Sequence, residues 1–441
     1  MQAIVLLTLC IVCVADFTPL NAAAPWVKFI PELMSLVIAP AVIFEAMRKG
    51  VVIPARYWAV FTFLCVVILC GILTNEVGPG PTLAGLRYYL RAIPLFLLPA
   101  VFQFTDKQIS QQLKFALVIG LLQMPLALYQ RWIIYSEGRF SGDDVRGTLG
   151  ESGTLSIILI CIAVVLTGFF VKKLIPWRRL GLLFFTLLLP TTINETKATV
   201  ILLPLGLLST LIAAAPRGKR VSVFVGGMAL LVGFGFVLIP VYNVMNANSP
   251  FKDDKNLLGF FTDQKQLDTY LEGKRPVAIG ERRAASRGDS IKVPLQYLSR
   301  DPVHLAFGLG LGNATHSSIG KDFTGSYYDL LGRFAITSFS VFLLEIGILG
   351  TVFVFLLYAM IGLDALAVAK MDPSQTGAIA AGWIGVVAII AASTFYVPIH
   401  VYAGISYLFW YFSGVIAARR AELALARQTS SPRGRLPRAA T

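Results

Sequence analysis

The chain has 441 residues, of which 56% are hydrophobic and 14% charged, with a formal net charge of +14 and a mean hydropathy of +0.72. That is more apolar surface than one water-soluble core can hide, so the composition excludes an ordinary soluble protein and places the chain among polytopic membrane proteins. The positive charge would suggest nucleic acid in a soluble chain; here it reads as a topology signal.

A spanning helix needs roughly 20 mostly apolar residues. About twelve stretches qualify, near 3–20, 29–47, 57–74, 85–104, 113–133, 153–171, 178–192, 197–215, 221–240, 336–361, 378–397 and 401–418. With a cytoplasmic N-terminus, the inner loops and tail hold 19 basic residues against five acidic ones, and the remaining 19 bases and 19 acids balance. The whole net charge therefore falls on the cytoplasmic side, as the positive-inside bias requires. The expected organisation is helices 1–9 over residues 1–241, a large outer loop over 242–335, helices 10–12 over 336–418, and a basic cytoplasmic tail over 419–441 that lies along the membrane.

Met1 to Ala15 lack the basic start of a signal peptide and read as an uncleaved first span. Cysteines 10, 13, 65, 70 and 161 all fall in apolar stretches and read as small buried hydrophobes. Arg87 and Arg91 enter the fourth span one turn apart, either snorkelling to the interface or serving a site. The loop Glu137 to Gly153 interleaves Arg139 and Arg146 with glycines, a pattern in which backbone N–H groups and guanidinium forks can converge on an anion. Glu195 and Lys197 occupy a tight turn between two spans, either as an interfacial pair or as functional charges at depth.

The segment from Tyr242 to Arg333 is the one long polar stretch, and a membrane protein with one such loop does its work there. Leu257 to Lys274 has the period of an amphipathic helix lying on the membrane surface. A second helix is expected from the cap signal at Asp289 and Ser290 through Leu298. It follows a basic cluster of Arg282, Arg283 and Arg287. Gly308-Leu-Gly310-Leu-Gly312-Asn313 is no nucleotide loop, since no Gly-Lys-Ser/Thr follows; it reads as a glycine turn bringing backbone close to a ligand. Asn313-Ala-Thr315 matches a glycosylation sequon. The loop holds 12 basic and 10 acidic residues, so some arginines must pair.

Taken together, these residues resemble the bacterial O-antigen ligase and O-antigen/exopolysaccharide polymerase superfamily. The resemblance runs from about Arg139 to Leu357. It rests on Arg139 followed by Gly150, on Glu195-Thr-Lys197-Ala at a helix start, on Ser286-Arg287-Gly-Asp-Ser with Pro302 and the glycine turn, and on Leu344-Glu345-Ile-Gly347-Ile-Leu-Gly350. Ligases of this group carry a His-Asn pair where this chain has Ile336-Thr337-Ser338, so the polymerase branch is favoured.

The resemblance implies an all-α, GT-C-like protein of about twelve transmembrane helices with one large, partly helical periplasmic loop. It implies an inner-membrane enzyme with both termini cytoplasmic and its site periplasmic. The activity would be metal-independent, inverting transfer, without a cofactor, of an undecaprenyl-diphosphate-linked oligosaccharide onto a second lipid-linked repeat unit. Its partners would be that donor and acceptor, the bilayer, a chain-length regulator and a flippase, with no nucleic acid.

Arg139, Arg146, Lys197, Arg287 and Arg283 are the expected diphosphate ligands, because charge building on the leaving oxygen is best met by fixed cations away from water. His316, then His304, then Glu195 are the candidate proton acceptors. Glu345 reads as a second buried acid and His400 as interfacial. A ligase using the same donor differs only in its acceptor. A flippase, as the non-enzyme reading, would place its charges near the bilayer midplane.

Overall fold

The computed structural model describes residues 1–135, 142–247, 256–273, 285–317 and 320–430. They form helices and connecting turns, with no strand among the described residues. In order these are α1 (Gln2–Val14), α2 (Thr18–Ala23), α3 (Ile30–Lys49), α4 (Ala55–Thr74), α5 (Pro79–Leu90), α6 (Ile93–Phe102), α7 (Asp106–Tyr129), α8 (Ser152–Val171), α9 (Trp177–Ile193) and α10 (Thr199–Ala214). There follow α11 (Arg220–Met245), α12 (Leu257–Thr262), α13 (Gln264–Glu272), α14 (Asp289–Leu298), α15 (Pro302–Phe307), α16 (Tyr328–Leu331), α17 (Ser338–Met371), α18 (Gln375–Ser393) and α19 (Ala403–Ser430).

Among the described residues, seven helices are long and apolar enough to cross a membrane: α3, α4, α7, α8, α11, α17 and α18. The pair α5 and α6, bent by 41° at a short break, makes an eighth. Each of the twelve expected stretches falls on helix, but length and composition reduce the number that qualify. α1, α9 and α10 have only 13, 17 and 16 residues, and α19 is diluted by Tyr, Ser, Trp and the pair Arg419–Arg420. The protein is thus an all-α membrane protein.

α8 and α18 are the most enclosed, with 72% and 78% of their apolar windows buried, whereas α11 buries 12% and faces outward. Small residues let the two central helices approach. A Cβ on Gly168 would lie 2.3 Å from Ala378 O, and one on Gly382 would lie 2.5 Å from Val165 Cα.

The two ends of the bundle differ. Opposite the large loop, the Asp364 carboxylate accepts from Arg56 and from the Tyr57 hydroxyl at 2.8 Å, with Arg420 at 3.7 Å. Asp372 accepts from Arg419 Nε at 2.7 Å, and Lys172 Nζ donates to the carbonyls of Ala369 and Asp372. These charges join α4, α8, α17 and α19. At the loop-bearing end the outer turns meet one another. Asn75 donates to Gly308 O at 3.1 Å, and Asn246 donates to Thr192 O at 2.9 Å.

Several local expectations change. Arg87 and Arg91 do not snorkel: both reach Glu32 Oε1, at 3.0 and 2.9 Å, and Arg91 also donates to the carbonyls of His400 and Val401. The expected single helix over 257–274 is two, broken at Asp263, whose carboxylate accepts the N–H groups of Lys265 and Gln266 that open α13. Of the five cysteines only Cys13 is buried; Cys10, Cys70 and Cys161 are half-buried and Cys65 is exposed.

The glycine turn meets protein backbone. Gly308, Gly310 and Gly312 have φ of +74°, +88° and +75°, and each faces a glycine of a helix. A Cβ on Gly308 would lie 2.6 Å from Gly347 N, one on Gly310 2.8 Å from Gly71 O, and one on Gly312 3.1 Å from Gly85 N. Only glycine allows both the left-handed backbone and this approach. Leu309 and Leu311 between them are fully buried, so the loop dives among α4, α5 and α17. Asn313, the sequon asparagine, is 2% exposed, and its amide donates to Leu309 O at 2.9 Å, so it is built into the turn.

Candidate functional site

The α9–α10 turn is pulled onto the start of α8 by buried Asn194, whose amide donates to Ser152 O and Ser156 Oγ, both at 2.9 Å. This forces the next residue, Glu195, to φ +58° and points its carboxylate inward. There Arg131 Nη2 donates to Glu195 Oε1 at 3.1 Å, with side-chain exposures of 11% and 3%. Gly142 must be glycine because a Cβ would lie 2.3 Å from Glu195 Cγ. Of the two readings of this turn, the interfacial Glu195–Lys197 pair is not what forms; Glu195 pairs with Arg131. Lys197, two residues on, lies with Nζ 4.2 Å from the centre of the Phe260 ring on α12.

From Phe260 a path of aromatic contacts leads to Arg287. Phe260 and Tyr270 meet edge to face at 5.4 Å. The Arg287 guanidinium lies 6.0 Å from the Tyr270 ring and 5.4 Å from the Tyr396 ring. Its Nε is buried and has no hydrogen-bond partner among the described residues. Local bonds hold the backbone here. Ser290 Oγ donates to Arg287 O at 2.7 Å, Asp289 N donates to Ser286 Oγ at 3.1 Å, and Gly288 N donates to Leu271 O at 2.6 Å. The end of α13 and the start of α14 are thus clamped together with Arg287 between them.

Tyr396, in the turn joining α18 and α19, extends the site toward α8, where a Cβ on Gly153 would lie 3.3 Å from its ring. Burial raises the Tyr396 phenol well above its ordinary value; Tyr270, Asp143 and Glu151 act in the same sense, and Arg287 opposes them. Tyr402 is raised likewise, by burial first and then by Glu151 and Asp16, with Arg146 opposing. Arg146 itself is exposed and lies 3.7 Å from the Asp144 carboxylate. Cations and carboxylates from the loop after α7, the α9–α10 turn, the large loop and the last turn therefore share one end of the bundle.

The chain matches no family model and no curated protein.

Of the expected site residues, Lys197 and Arg287 are joined through Phe260 and Tyr270. Arg146 stands beyond Tyr396 and Tyr402. Arg139 and Arg283 lie outside the described residues. His304 is paired with Asp301, Nδ1 to carboxylate 3.2 Å, and His316 is exposed beside Tyr328, ring centres 5.2 Å apart. No described contact ties either histidine to this cluster. Glu345 is 2% exposed and accepts from Thr315 Oγ1 at 2.8 Å, which anchors the segment following the glycine turn. For His400, burial, with Arg91 nearby, pushes the imidazole down to about 3, and Nδ1 lies 2.8 Å from Ser338 Oγ.

Sequence reasoning missed Arg131 and Tyr396, and read His400 only as interfacial. A charge at the very end of the apolar stretch 113–133 was a signal for Arg131. Nothing in the local pattern pointed to Tyr396. No group of three His, Cys, Asp or Glu side chains converges among the described residues. Chemically, a guanidinium with an orphaned, buried Nε beside aromatic walls is suited to grip an oxyanion in a place poor in water.

Proposed function

We propose that the protein is a polysaccharide polymerase that transfers an oligosaccharide from a polyprenyl-diphosphate carrier onto a second lipid-linked repeat unit, with inversion and without a metal. The observation that carries this reading is the buried Nε of Arg287, without a hydrogen-bond partner among the described residues, in an aromatic cluster that also holds Lys197. A diphosphate leaving group needs fixed cations as charge builds on its bridging oxygen, and the planar fork of arginine matches phosphate. Arg287 and Lys197 take the leaving group, with Arg146, Arg139 and Arg283 as further ligands.

The proton acceptor is to be found among Glu195, His304 and His316. Glu195 is favoured because it shares the turn of Lys197, while neither histidine touches the cluster. In this reading α1, α9, α10 and α19 also cross the bilayer, giving twelve crossings in a GT-C-like arrangement. The enzyme then sits in a bacterial inner membrane with both termini cytoplasmic and the site periplasmic. The basic residues gathered at the end opposite the large loop support that orientation.

Purified protein incubated with lipid-linked repeat units in detergent tests the activity: longer lipid-linked chains are expected, whereas a flippase forms no new bond and a ligase requires a different acceptor. Arg287→Ala should slow chain growth about 10- to 150-fold, the loss of one charge-assisted contact of roughly 1.5–3 kcal/mol. Arg287→Lys should also be damaging, because a point charge replaces a fork. Wild-type chain length in Arg287→Ala would defeat the reading.

A further inference from the structure

A cavity of about 260 Å³ runs between α4, α5, α6, α17 and α19, apart from the cation cluster. Trp58, Phe61, Tyr88, Phe342, Tyr358 and Trp410 make much of its wall. Along α4 its lining extends from Trp58 to Ile68, about 15 Å of helix axis at 1.5 Å per residue. Trp58 and Cys65 keep exposed surface, so the cavity opens sideways toward the bilayer. Such a shape fits a hydrocarbon chain and is hostile to a sugar.

One wall group is polar and oriented. The backbone N–H of His400 donates to Ser338 Oγ at 3.4 Å, and that oxygen shares a hydrogen bond of 2.8 Å with His400 Nδ1. With the serine as donor in that bond the ring proton sits on Nε2, which has no hydrogen-bond partner among the described residues, in a side chain that lines the cavity. Burial keeps this imidazole neutral, so it presents a donor rather than a charge. His400 and Tyr396, the latter 5.4 Å from the Arg287 guanidinium, belong to the same turn between α18 and α19, so the cavity wall and the cation cluster share that connection.

We propose that this cavity holds the isoprenoid chain of a polyprenyl phosphate or diphosphate, with His400 Nε2–H facing its phosphate-bearing end. The assignment rests on the reading above for the position of the diphosphate, but its test needs no turnover. A diazirine-bearing farnesyl phosphate, photolysed with the purified full chain in detergent, should label residues 58–68 and 406–410 by mass spectrometry. Unlabelled farnesyl phosphate should compete and palmitate should not. Val354→Trp, which fills the cavity, should cut labelling about tenfold or more, with Leu64→Trp at its edge as a second blocking variant should the first unfold. His400→Leu should weaken farnesyl phosphate about tenfold, the worth of one hydrogen bond, and leave farnesol unchanged.

Labelling spread along outward-facing α11, or undiminished in folded samples of both filling variants, would overturn the proposal. Equal competition by palmitate would do the same, assigning the cavity to an acyl chain of the bilayer. Specific labelling in a protein that makes no polymer would leave this site standing and remove the polymerase reading instead.

Discussion

At one end of the bundle Asp364 is 1% exposed and gathers Arg56, Tyr57 and Arg420; at the other, Arg287 lies against Tyr270 and Tyr396 with a buried Nε that bonds to nothing described. Both places hold arginine at an end of the helix bundle. In the first, opposite charges neutralise each other and join α4, α17 and α19, so the cation is a structural part. In the second, aromatic faces supply a cation–π contact that shields the guanidinium without occupying its hydrogen-bonding edge. Burial of charge alone therefore does not mark a site; the kind of neighbour does.

The comparison predicts opposite phenotypes. Asp364→Ala strands two arginines and a tyrosine hydroxyl and should cost about 2–3 kcal/mol, somewhat under the value for a buried pair because Arg56 is half exposed. Thermal unfolding in detergent should show the drop, while turnover per folded molecule stays at the wild-type level. Lys197→Ala should do the reverse, slowing transfer about tenfold or more with an unchanged unfolding midpoint. If both substitutions act on stability alone, the two ends are equivalent and the site assignment fails.

A smaller effect follows from His400. Its folded value of about 3 lies below the ordinary 6.5, so the unfolded chain binds the proton more readily between those values. Stability is whole above about pH 6.5 and declines as pH falls toward 3, by at most about 1.4 kcal/mol per pH unit. Unfolding midpoints at pH 7.5 and 5.5 should differ less in His400→Gln than in the wild type. The smallest effects are expected at the two loop histidines. His316→Ala and His304→Ala should leave turnover within about twofold, and Glu195→Gln should lower it by tenfold or more. A large loss at His316 with none at Glu195 would return the proton-accepting role to the histidine.

The helices were legible because apolar runs of this length have few alternatives in a membrane, and every expected stretch lies on helix. Lys197 could be picked out because it stands where a span begins, and Arg287 because it belongs to the basic cluster of the one long polar loop. Contacts between distant segments left no trace in the local pattern. Arg91 meets Glu32 across 59 positions and His400 meets Ser338 across 62, and neither pairing has a periodicity to betray it. The glycine turn was recognisable as a place of close approach. What approached it was not, since glycine records only that a side chain would not fit.

That turn has a consequence for biogenesis. Gly308, Gly310 and Gly312 touch glycines of α4, α5 and α17, so the segment cannot lodge in its groove until α17, which is synthesised after it, has entered the membrane. The polar segment therefore cannot complete its packing before then, and chains truncated before residue 338 should remain open to protease at Leu309 and Leu311.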